Sequence, residues 1–385
     1  MIPFLTQGGG AERYFIELAR YLSSSKGIKV DVVTLDETFF RIFARILHLY
    51  RLRFFIKINI TGREKEEKIK KELGRADWIK SSLSRLKEIL NNYDVIYVKN
   101  EISELVLLKL IGYRHLPPVI VGVHTPLFYP LGTSFEVKIH NLLYRSFLYR
   151  WVLDGIKLVH ASNNFTKKYV EKVFKKKCQL IYYPIDINDL RKKAKTYSPN
   201  LKFDKKKFNF AFVGRLSEQK GVDILLRLIK KIGENKEIAQ RIKLNIFGSG
   251  EEKFEEEIKN LSKKYSWVRY FGHIEHLLIP SVLSQQNLLL STSKWEVLPY
   301  NILEAQALGV PVLAFRIPGP IDIVKNKKTG FLVSDEEDMA KKLIDFVVGK
   351  YTFNKIQISK ITENTFSSIS IYPKLLSILR SCQNK

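Results

Sequence analysis

Short apolar runs alternate with longer helical patterns along this whole chain, and few folds admit that alternation. Candidate strands lie at 30–35, 95–98, 119–124, 158–161 and 180–183, then at 210–213, 244–247, 268–271, 287–291, 310–315 and 330–333. Helical patterns fall at 11–23, 83–90, 166–174, 222–231, 254–263 and 337–347. Strand–helix alternation of this kind predicts an α/β fold of parallel sheets covered on both faces, the doubly wound class. At 385 residues the chain is too long for one ordinary core and suits two domains. The series breaks in DINDLRKKAKTYSPNLKFDKKK, which is polar, basic and without a strand. Two Rossmann-like domains facing a cleft are therefore expected at 1–190 and 208–365, joined by a linker at 191–207.

With 45% hydrophobic and 27% charged residues the chain is globular in composition. Its two cysteines, Cys178 and Cys382, match no zinc spacing and no disulfide framework, so a reducing compartment is expected. No apolar run reaches the roughly 18 residues of a spanning helix. The opening MIPFLTQGGG lacks the regions of a signal peptide, which predicts a cytoplasmic location. Only Met1–Thr6 and then Gln7 precede Gly8-Gly9-Gly10, where a full strand is normal, so that strand is very short or the chain begins late.

The net charge of +26 is spread over both halves. Nucleic acid, an anionic membrane or a phosphate-bearing substrate could each use it, and Lys-rich and Ile-rich usage can also simply reflect the proteome of a thermophile. No recognised nucleic-acid motif accompanies it, so no specific nucleic-acid partner is expected. The segment 39–60, FFRIFARILHLYRLRFFIKINI, opens on Phe39, closes on Ile60 and mixes apolar and basic residues at helical intervals. It reads as a helix lying on an anionic membrane surface, at the inner face of the cell membrane, or as a helix packed on the sheet with snorkelling arginines.

Three motifs carry the chemistry. Val213 to Gly221, VGRLSEQKG, follows a strand and leads into a helix. Gly214 permits a sharp turn near a ligand, while Arg215 and Lys220 supply two cations over a strand end, which suits a diphosphate. Two solvated basic residues are the plain alternative. Ile246 to Glu252, IFGSGEE, places Gly248 between strand and helix, where it receives a base or phosphate or makes a tight turn. Ser291 to Gly309, STSKWEVLPYNILEAQALG, sets Pro299 at a helix start and Gly309 at its end. Glu296 lies in the loop and Glu304 in the helix's second turn. Spaced by eight, both can face one cleft and accept hydrogen bonds from sugar hydroxyls; surface glutamates favoured by the helix dipole are the alternative.

The E-x7-E spacing with V-G-R-L-x-x-x-K-G upstream resembles the retaining glycosyltransferases of family 4, which have the GT-B fold. The likeness extends to Gly8-Gly9-Gly10-Ala11-Glu12, His124-Thr125-Pro126, Tyr183-Pro184-Ile185-Asp186, Gly319 and Thr329-Gly330-Phe331. Val297 departs from it, since the family often has glycine there. The resemblance implies a nucleotide-diphosphate sugar, UDP- or GDP-linked, as donor and a glycan or lipid-linked acceptor. It implies Arg215 and Lys220 on the diphosphate, Glu304 on the ribose and Glu296 on the transferred sugar. Amides around Leu298, Pro299 and Tyr300 would add donors. Gly9 and Gly10 would approach the phosphates or acceptor, His124 would lie beside the sugar, and residues 366–385 would return to the first domain. No D-x-D metal motif stands out, so no metal or other cofactor is expected, and anomeric configuration would be retained. A sugar-nucleotide epimerase, or a binding protein with a decayed site, are the competing functions.

Overall fold

The computed structural model describes residues 10–25, 27–31, 78–129, 135–197, 199 and 201–383. Gly9, all but two residues of the strand expected at 30–35, and the segment 39–60 lie outside them. Among the described residues, the first half carries α1 (Gly10–Ser24), α2 (Trp78–Leu90), β1 (Ile96–Lys99), α3 (Ile102–Ile111), β2 (Val119–Val123), α4 (Phe135–Arg145), α5 (Phe147–Leu153), β3 (Leu158–Ala161), α6 (Asn164–Tyr169), a π turn (Val170–Phe174), β4 (Cys178–Leu180) and α7 (Ile187–Thr196). The second half carries β5 (Phe208–Val213), α8 (Val222–Glu234), α9 (Lys236–Arg241), β6 (Ile242–Phe247), α10 (Glu252–Lys264), β7 (Val268–Tyr270), α11 (Ile279–Ser284), β8 (Leu288–Ser291), α12 (Tyr300–Ala307), β9 (Val312–Phe315), α13 (Pro320–Ile323), β10 (Gly330–Val333), α14 (Glu336–Val347), α15 (Lys355–Phe366) and α16 (Ser368–Gln383).

The chain divides into two compact units, one of Met1–Thr125, Leu143–Val159 and Leu375–Lys385, the other of Pro126–Leu142 and His160–Lys374. The first sheet has the order β1-β2-β3-β4. Its β1 and β2 run parallel, in register from Ile96↔Val119 to Lys99↔Gly122. In the first unit, Ile378, Leu379 and Cys382 of α16 pack with Ile120 and Leu158.

The second unit holds a six-stranded parallel sheet in the order β10-β9-β8-β5-β6-β7. Every residue of β8, β9 and β10 is buried, as expected when helices cover both faces of a parallel sheet. Phe210 and Phe212 of β5 share one core with Leu225, Leu228 and Ile229 of α8, Ile258 of α10 and Met339 of α14. Burying each such side chain contributes about 1.5–3 kcal/mol. The Asp335 carboxylate caps α14 by accepting from the Asp338 amide.

Three expectations change in detail. The strand predicted at 180–183 is Cys178–Leu180, the pairing ending where the Ile181 amide donates to the Ala161 carbonyl; beyond it the Tyr182 hydroxyl donates to Asp322 and the Tyr183 ring stacks on Tyr300. The single helix predicted at 166–174 is α6 followed by a π turn, ended by Lys175 in the left-handed region at φ 54°. The polar stretch opens as α7, capped by Asp186, with Ile187 and Leu190 buried.

Candidate active site

β5 and β8 are neighbours in the second sheet, and the strand order runs away from them in opposite directions. Loops leaving such a switch point diverge, and open parallel sheets bind ligands in the crevice between them. The motif of Arg215 and Lys220 leaves β5, and the motif of Glu296 leaves β8.

Backbone touches backbone between these loops. Gly248 has φ +138°, and a Cβ there would stand 1.8 Å from the Gly214 carbonyl oxygen. The Gly214 amide donates to the Phe247 carbonyl at 3.0 Å, and the Leu216 amide to that of Ser249 at 3.0 Å. The tight-turn reading of IFGSGEE thus has a physical basis in the closeness of Gly214. Gly221 has φ +63°, with the Thr292 carbonyl oxygen 1.9 Å from where its Cβ would be. The Thr292 hydroxyl donates to the Lys220 carbonyl at 2.8 Å, and the Lys294 amide to that of Gln219 at 2.9 Å.

This stitching brings together two residues 76 positions apart: the Lys220 Nζ donates to Glu296 Oε1 at 2.5 Å. Their side chains are 17% and 8% exposed. Arg215 is exposed and makes no ion pair among the described residues. An ammonium has three donors, so Lys220 can hold Glu296 and a phosphate oxygen together.

Pro299 caps α12 directly ahead of its first turn, at φ −74°, and Gly309 follows its C-cap at φ +79°. First-turn amides have no partner inside a helix, so those of α12 are donors for a ligand or a side chain. The Asn301 side chain ties this end to β5 by donating to the Val213 carbonyl at 2.8 Å. Leu298 and Tyr300 are buried, and Tyr300 stacks on Tyr183 with ring centroids 5.1 Å apart. The Val297 carbonyl accepts from Asn163 Nδ2 at 2.7 Å, which fixes the backbone at the position that departs from the family pattern.

Glu304 is 3% exposed and lies 3.0 Å from His276 Nε2. A carboxylate so buried needs partners, and this imidazole is one. His276 was not singled out in the sequence; it sits in a short 3-10 helix, His276–Leu278, with no periodic signal. Asn301, Asn163 and the buried Asp322 were missed for another reason, that their partners lie far off in sequence. Asp322 accepts from the Asn164 amide at 3.0 Å and the Tyr182 hydroxyl at 3.1 Å. Burial, with Asp322 adding to it, pushes the Tyr182 hydroxyl up to about 12. Among the described residues no cluster of three His, Cys, Asp or Glu is placed to hold a metal ion.

In the first unit, Gly10 opens α1 and His124 follows β2. His124 is 5% exposed. Its ring lies against Tyr14 at 4.4 Å and Phe15 at 5.1 Å, and its Nε2 is 2.9 Å from the Tyr97 hydroxyl. Asn100 Oδ1 accepts from the amides of His124 and Thr125 at 2.9 and 3.0 Å, pinning the strand end. An imidazole held this way has a set orientation.

The second unit thus brings glycine loops, a cation and a carboxylate together at the switch point of a parallel α/β sheet. The model of Glycosyltransferase Family 4 matches residues 8–189, and that of Glycosyl transferases group 1 matches residues 193–358. The chain belongs to the GT-B glycosyltransferases of the family 4 type. It is 25% identical over 263 residues to an uncharacterized 41.2 kDa protein in the cps region of Klebsiella pneumoniae, covering 67% of this chain and 69% of that one. It is 29% identical over 241 residues to the O-antigen biosynthesis glycosyltransferase WclY of Escherichia coli, covering 61% and 64%. With granule-bound starch synthase 1 of Triticum aestivum it shares 29% identity over 145 residues, spanning 37% of this chain but 23% of that protein. Among solved structures, Anabaena Alr3699/HepE in complex with UDP-glucose aligns with a TM-score of 0.63 and 18% identity, over 97% of this chain and 96% of that one. A glycosyltransferase from Rickettsia africae aligns with a TM-score of 0.67 and 19% identity, over 98% and 96%. These structural likenesses speak to the fold. Among the described residues, no helix is long and apolar enough to cross a membrane.

Proposed function

We propose that this glycosyltransferase moves a hexosyl group from a UDP- or GDP-linked sugar to a glycan or lipid-linked acceptor, with retention and without a metal. The observation that carries the reading is the Lys220–Glu296 pair beside exposed Arg215 at the β5–β8 switch point. Breaking the bond between an anomeric carbon and a diphosphate puts negative charge on the leaving group. Fixed cations placed where that charge grows lower the barrier. Arg215 offers a planar fork and Lys220 a point charge, so the side chains can supply what a metal ion would. On this reading Glu296, held by Lys220, binds the transferred sugar and Glu304 the ribose hydroxyls, both roles carried over from the family pattern. His124 is assigned to the transferred sugar from the family pattern, as is retention. The UDP-glucose in the Anabaena neighbour's site supports a nucleotide-sugar donor and leaves the nucleotide open. A lipid-linked acceptor and an inner-membrane location fit the +26 charge and the basic apolar segment 39–60.

A thermal-shift screen of UDP- and GDP-sugars identifies the donor, and product analysis with that donor and a chelator tests the chemistry. Transfer to an added acceptor at an unchanged rate in excess chelator is expected. Strict Mg²⁺ dependence overturns the metal-free part. Isomerised donor in place of a glycosylated product overturns transfer itself.

His276→Ala tests the ribose assignment. One hydrogen bond on Glu304 is worth about 1 kcal/mol, so the donor KM should rise roughly 3–10-fold with kcat nearly unchanged. An unchanged KM removes His276 from the donor site.

A further inference from the structure

α5 carries apolar side chains on opposite sides. Tyr149, Val152 and Leu153 are buried, whereas Phe147 is 80% exposed and Leu148 and Trp151 are each 36% exposed. Residues four apart share a helix face, so Phe147 and Trp151 project together. Leu110, at the end of α3, is 53% exposed. Lys109 joins the two helices: its Nζ lies 5.4 Å from the Trp151 ring centroid and 5.5 Å from that of Tyr113, and it donates to the Asp154 carbonyl at 2.6 Å.

The charge around these side chains is one-sided. Arg114, Arg145, Arg150 and Lys157 are all exposed, and Asp154 is the one acidic residue within 105–115 and 143–157. An exposed aromatic and aliphatic patch on a folded unit marks a surface that is covered when the protein works. A protein partner of ordinary composition would not call for four exposed cations against one acid in these two segments. Trp and Phe interleaved with Arg and Lys is the composition that settles at a bilayer interface, with rings at headgroup level and cations on anionic phosphates.

We infer that α5, with the end of α3, is a docking surface for an anionic lipid bilayer. The inference rests on the membrane-side reading of the acceptor proposed above and places the contact on the first unit, beyond the segment 39–60. Phe147, Leu148 and Trp151 enter the headgroup region while Arg145 and Arg150 pair with lipid phosphates.

The test is flotation of the full chain with phosphatidylcholine vesicles, with and without phosphatidylglycerol. Two variants, Phe147→Ser/Trp151→Ser and Arg145→Gln/Arg150→Gln, are compared with the native chain, and thermal melts with and without donor confirm that each stays folded. The native chain should float with the anionic vesicles and not the neutral ones, and both variants should float at least about fivefold less, since each loses two contacts of its kind. Native binding that both variants keep in full overturns this surface and leaves the membrane reading standing. Native binding to neither vesicle overturns both. Equal binding to the two vesicles overturns the charge pairing. A dimer in solution that Phe147→Ser/Trp151→Ser dissolves, with no flotation, shows that a second copy covers the face and also overturns the inference.

Discussion

Arg215→Ala is expected to give a folded protein that transfers sugar about 10²–10³-fold more slowly, the cost of losing one donor that stabilises developing charge. The structure separates that effect from any loss of stability. Arg215 is exposed and makes no ion pair among the described residues, so its removal leaves no buried partner stranded. Surface substitutions of this kind stay within about 0.5 kcal/mol in stability. The measurement is kcat with saturating donor beside a thermal melt. Native turnover in the variant removes Arg215 from the diphosphate site and takes the carrying observation with it. Lys220→Met would be a poorer first test, because it also leaves the Glu296 carboxylate without its ammonium.

Gly248→Ala is expected to cost about 2–4 kcal/mol, since it adds a steric clash to an unfavourable backbone conformation. The φ of +138° is unsuited to any side chain, and the new methyl would stand 1.8 Å from the Gly214 carbonyl oxygen. That oxygen belongs to the loop that carries Arg215, so it has to move. The melting temperature should fall by roughly 5–15 °C for a unit of this size, and the donor KM should rise together with it. A variant with native melting temperature and native KM would show that the two loops do not depend on each other.

How far the sequence foretold this varies with how local each signal is. The strands at 158–161 and 330–333 were placed to the residue, because each is a short apolar run between turn residues. α3 was not foreseen: ISELVLLKLI is apolar nearly all round, so it lacks the contrast between faces that marks a helix. α7 was hidden in a polar stretch, since Ile187 and Leu190 are its buried anchors. The site residues were legible as types at fixed spacings after strands. Their pairing was not. Lys220 meets Glu296 because β5 lies beside β8, and no pattern within either motif records that adjacency. His276 meets Glu304 across a shorter gap of 28 residues.

Glu296 already holds the Lys220 ammonium, so of the two cations Arg215 and Lys220 only Arg215 is without an ion pair among the described residues. Inorganic phosphate, abundant in any cell, meets a surface whose charge is half cancelled, and its gain from binding is correspondingly small. Under the proposed assignment, a nucleotide sugar would engage both members of the pair, with phosphate for the ammonium and hydroxyls for the carboxylate. On that assignment the ion pair would work as a sieve, favouring ligands that carry acid and sugar in one molecule over those that carry acid alone.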